Sequence, residues 1–82
     1  MNLRDQVLAL RTGDRVEVTW DCSGAEITYV GTVRETGERG VMLTRGYTPT
    51  KRIVLYEDDV IFYKYAQTYK PHGRVLAIKK LD

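Results

Sequence analysis

An 82-residue chain amounts to one domain, and with 13 Lys and Arg against 11 Asp and Glu its formal charge of +2 excludes the large positive excess of a chromatin-type protein. The single Cys22 excludes an intramolecular disulfide framework and a cysteine-based zinc centre, and it points to a reducing, cytoplasmic compartment. No apolar run approaches the roughly 20 residues that span a bilayer, and the start MNLRDQVLAL lacks the pattern of a secretory signal, so no membrane association is expected.

The first predicted element is a short helix over residues 2–10. Asn2 can cap it, Asp5 suits the positive end of its dipole, and Leu3, Val7 and Leu10 recur on one stripe. Thr12-Gly13-Asp14 stops the helix. The period then changes to two, with Val16, Val18 and Trp20 on one face of a strand over 14–20. Asp21 to Gly24 reads as a turn. A long strand over 26–35 places Ile27, Tyr29, Gly31 and Val33 on one side, and the mid-strand Gly31 predicts a bend or a close backbone approach.

Thr36-Gly37-Glu38-Arg39-Gly40 predicts a hairpin connection to a strand over 40–45, followed by strands over 51–56 and 60–65. In strand 60–65 we place Val60 and Phe62 inward, Lys64 at the rim, and Tyr63 and Tyr65 outward. The opposite register, with Ile61, Tyr63 and Tyr65 in the core, stays open. The segment from Ala66 to Gly73 is expected to be looser, and a last strand runs over 74–81. There Val75 and Ala77 alternate with Leu76 and Ile78, so both faces are apolar and need cover from the helix or a second subunit. The sum is a mainly β fold, a small five- or six-stranded antiparallel barrel with a short N-terminal helix, in one domain spanning 1–82.

The order helix, LRTGDRVEV, YVGTV, GVMLT and KRIVLYEDDVIFYK resembles the Sm-like small barrels, and from GDRVEV onward it also looks like the Tudor and KOW modules. The resemblance covers about Leu3 to Lys64. It implies a bent-strand barrel, a habit of binding nucleic acid and assembly through strand edges. It brings no site residues with it: the Sm-type loop position reads Thr36-Gly37-Glu38-Arg39-Gly40, and the second Sm motif is replaced by Leu55-Tyr56-Glu57-Asp58-Asp59. A Tudor-type aromatic cage would need Trp20 and Tyr29, which read as core.

Charge is unevenly spread. Ten of the 11 acids fall at or before Asp59, whereas Lys64, Lys70, Arg74, Lys79 and Lys80 follow Val60 with Tyr63, Tyr65 and Tyr69 among them. Cations neutralise phosphates and tyrosine rings stack on unpaired bases, so this tract, joined by Arg45, Lys51 and Arg52, is the expected nucleic-acid surface. The partner would be DNA or RNA, single-stranded in particular, with homo-oligomerisation expected from the last strand. The competing expectation is an interaction module that self-associates through that strand. The lone His72 and Cys22 form no recognisable catalytic motif, Glu57-Asp58-Asp59 lacks the spacing of a calcium loop, and no phosphate-binding glycine loop occurs. No enzymatic activity, metal or cofactor is expected.

Overall fold

The computed structural model describes residues 1–65 and 70–81. It is a closed antiparallel barrel of six strands preceded by one helix: α1 (Leu3–Leu8), β1 (Arg15–Cys22), β2 (Ala25–Gly37), β3 (Gly40–Thr44), β4 (Lys51–Leu55), β5 (Val60–Tyr63) and β6 (Gly73–Leu81). Each strand pairs with the next, and β6 closes on β1.

Helix α1 starts where expected. The Asp5 amide donates to Asn2 Oδ1 at 2.8 Å, and Val7 and Leu10 are buried against the core. It stops at Leu8, short of residue 10. Beyond it the Arg11 amide donates to Asp14 Oδ2, and Gly13 takes a φ of +98°. The Gly13 amide then donates to the Val33 carbonyl and the Val33 amide to the Asp14 carbonyl, so the turn extends the β1–β2 ladder.

β1 runs to Cys22, which narrows the connection to Ser23 and Gly24. With φ of 53° and 91° these two residues make the mirror-image turn whose twist suits a two-residue hairpin. β2 is the bent strand. Residues up to Thr32 pair with β1, and those from Thr32 to Gly37 pair with β3, with Arg34 bulged out between Val33 and Glu35. Gly31 sits at the pivot: a Cβ there would lie 2.6 Å from the Tyr29 ring and 3.0 Å from the Thr44 carbonyl. The expected close approach is therefore to an aromatic ring and to β3.

Phe62 is fully buried at the centre of the barrel. Its ring stacks on Trp20 at 3.9 Å and meets Tyr29 at a tilt of 55° and 6.3 Å, and Val16, Val18, Leu43 and Ile53 belong to the same core. The inward assignment of Val60 and Phe62 agrees with their burial.

Three sequence expectations need correction. β5 ends at Tyr63 rather than residue 65, because His72 donates its amide to the Phe62 carbonyl and Phe62 pairs with Gly73, so the chain turns away after closing the barrel. Tyr63 is on the outer face but only 3% exposed, covered by Arg52 and Tyr56 from neighbouring segments. The last strand does not carry two continuous apolar faces. Thr19 pairs with Ala77 and Trp20 with Val75, leaving Leu76 bulged. The bulge turns Ile78 as well as Val75 toward the core, and Leu76 and Ala77 remain outside.

Candidate anion and nucleic-acid interface

β4 reaches the site through a simple phase argument. Its buried positions alternate as Lys51, Ile53 and Leu55, so the strand begins with a lysine pointing the same way as two core residues. Lys51 is 8% exposed, and its ammonium lies 5.6 Å from the Tyr29 ring and 5.5 Å from the Tyr65 ring. Arg45, just beyond the end of β3, holds its guanidinium 5.2 Å from the Tyr29 ring. Lys64, just beyond β5, places its ammonium 5.7 Å from the Tyr65 ring. The ends of three consecutive strands thus bring three cations onto two aromatic faces at one rim of the barrel.

No carboxylate lies within ion-pair distance of these cations among the described residues. Burial, and then the like charges of Lys64 and Arg45, lower the pKa of the Lys51 ammonium from its ordinary value. The ring faces offset part of that cost by cation–π attraction. The Tyr29 hydroxyl is buried with no hydrogen-bond partner among the described residues. Close by in sequence, the Arg45 carbonyl accepts from the Thr48 amide and hydroxyl, and this turn, with Gly46 at φ +55°, presents Tyr47 wholly to solvent.

Arg52, Arg74, Lys79 and Lys80 do not join this cluster. Arg52 lies 4.6 Å over the Tyr63 ring, beside a groove of about 690 Å³ lined by Glu35, Glu38, Arg39, Met42 and Tyr56. Tyr63 and Tyr56 share a hydroxyl–hydroxyl bond of 2.5 Å, which together with burial raises the Tyr63 pKa above its usual 10.0. Arg74 approaches Asp59 at 3.9 Å and Lys80 approaches Asp14 at 3.7 Å. Lys79 stands opposite Glu17 across the β1–β6 pair. Lys70 is exposed, and Tyr69 lies outside the described residues. Of the sequence-predicted set, the structure therefore unites Arg45, Lys51, Lys64 and Tyr65, and separates Arg52, Tyr63, Arg74, Lys79 and Lys80 from them.

Tyr29 is a core residue, as read from the sequence, whose contact with Arg45 and Lys51 that reading did not include, and the exposed Tyr47 was not among its site residues. No local pattern links Tyr29 to Lys51, 22 residues on in the sequence, and their contact emerges only in the folded barrel. Cys22 and His72 are also closer than expected, with Sγ and Nε2 4.0 Å apart beside Trp20. No cluster of three or more metal-ligating side chains occurs among the described residues, and no helix among them is long and apolar enough to cross a membrane. The fold is thus a small closed β-barrel with a cationic, aromatic rim. No protein-family model, curated protein or solved structure matches the chain.

Proposed function

We propose that this barrel binds nucleic acid, single strands in preference to duplex, at the rim formed by Arg45, Lys51 and Lys64 with Tyr65 and Tyr47. The observation that carries the reading is the convergence of three cations on the Tyr29 and Tyr65 rings without a carboxylate at ion-pair distance among the described residues. A buried lysine with cationic neighbours costs free energy, and the opposite charge of an arriving phosphate offsets that cost. Tyr65, 44% exposed, and the fully exposed Tyr47 offer faces on which unpaired bases can stack. The proposed chemistry is recognition alone, through phosphate neutralisation and stacking.

The test is titration of fluorescently labelled DNA and RNA, single- and double-stranded, at low salt. Single strands should bind more tightly than duplex of the same length, and Lys64→Gln should weaken every sequence alike. Absence of binding to all of these oligomers at low salt would overturn the reading.

A further inference from the structure

Resting on the nucleic-acid reading above, we infer that the Arg45–Lys51–Lys64 cluster seats a single phosphomonoester dianion, so that a strand is held by a phosphorylated end rather than tracked along its backbone. Lys51 is common to both ring contacts, with Arg45 at the Tyr29 ring and Lys64 at the Tyr65 ring, and the charges of both neighbours act on its ammonium. A surface that follows a backbone needs further free cations at successive phosphate spacings. Four of the candidates for that role are engaged or placed elsewhere, Arg74 with Asp59, Lys80 with Asp14, Lys79 opposite Glu17 and Arg52 on Tyr63, which leaves exposed Lys70 as the one other sequence-predicted cation.

Charge matching points the same way. A backbone phosphodiester carries one negative charge, whereas a phosphomonoester carries close to two at neutral pH. Coulomb attraction to the same three cations scales with that charge, and it is screened least at Lys51, a buried residue. A terminal phosphate also has three free oxygens to share among the cations, against two for a diester, and charge-assisted contacts of this kind are the strong ones. Tyr65, which lies beside both Lys51 and Lys64 and is 44% exposed, is then placed near the terminal base.

The experiment compares one labelled single-stranded decamer bearing a 5′-hydroxyl with the same decamer carrying a 5′-phosphate or a 3′-phosphate, and adds a nucleoside monophosphate as competitor. At least one phosphorylated strand should bind about tenfold or more tightly than the hydroxyl form. That gain should disappear in Lys51→Met and in the exposed-site variant Lys64→Gln, with circular dichroism confirming that both are folded. Equal affinity for phosphorylated and hydroxyl strands would overturn this inference and leave the function proposed above standing. Binding of the monophosphate with no binding of any strand would support the phosphomonoester seat and overturn the nucleic-acid reading. Absence of binding in every arm would overturn both.

Discussion

At the scale of single residues, Lys51 sets binding against stability. The residue is buried, two cations act on its ammonium, and its pKa lies below the ordinary 10.5. Between the folded and unfolded pKa values the unfolded chain holds more protons, so stability rises with pH through that window, and below it the destabilisation is fully present. Lys51→Met keeps the aliphatic stem and a sulfur that tolerates aromatic neighbours. It should raise stability at neutral pH by about 0.5–1 kcal/mol, a gain of a few degrees in thermal midpoint, while weakening oligonucleotide binding. A variant that melts lower than the parent would show that the cation–π contacts outweigh the desolvation.

Tyr63 offers the opposite case of a polar group that is buried and satisfied. Its hydroxyl shares the bond with Tyr56, which is the main reason its pKa is raised above 10.0. A raised phenol pKa contributes stability that is present below pH 10.0 and lost as pH climbs through the folded value. Tyr56→Phe should therefore cost roughly 1–2 kcal/mol by leaving a buried hydroxyl with one partner fewer. In an ultraviolet alkaline titration the Tyr63 phenolate should then appear at lower pH than in the parent. Sequence periodicity put Tyr63 outward correctly, but its cover comes from Arg52 on β4 and Tyr56 in the following turn, and no pattern within β5 announces that.

At the scale of elements, the strands were readable because the inward residues alternate: Val16, Val18 and Trp20, then Tyr29, Gly31 and Val33, then Ile53 and Leu55. Bulges were not readable. The Leu76 bulge changes the inward phase of β6 partway along, and only pairing with β1 reveals it. The same alternation carried a hint about the site, since Lys51 is in phase with Ile53 and Leu55 and so had to enter the rim of the core. Glycine at barrel closure is a second element-scale feature. A Cβ on Gly73 would collide with the Asp21 carbonyl and lie 2.8 Å from the Trp20 ring, just where β6 meets both β5 and β1. Gly73→Ala must displace backbone, and it should destabilise the domain by roughly 2–4 kcal/mol. Gly24→Ala meets nothing within 4 Å and is strained only by its φ of +91°, so denaturant melts should rank it as the milder variant.

At the scale of the whole molecule, the net charge of +2 conceals how the cations are distributed. The run of five cations after Val60 suggested one basic surface, yet folding sends Lys79 and Lys80 to carboxylate neighbours on β1 and in the turn before it, sends Arg74 to Asp59 in the β4–β5 turn, and leaves Lys64 to meet Arg45 and Lys51. The two arrangements predict different salt dependence. Each phosphate neutralised on a single strand contributes about −0.7 to the slope of log affinity against log salt. A rim whose three cations each meet a phosphate should give a slope of about −2.1, and a shallower one where they share a phosphate, whereas the full basic tract with Arg45, Lys51 and Arg52 would give about −5.6. Titrations between low and moderate salt can separate these values. Lys64→Gln should then flatten the slope by about one contact's worth, and Lys79→Gln, beside Glu17, should leave it unchanged. A steep slope that Lys79→Gln flattens as much as Lys64→Gln would place the phosphates along β6 and remove the rim from its proposed role.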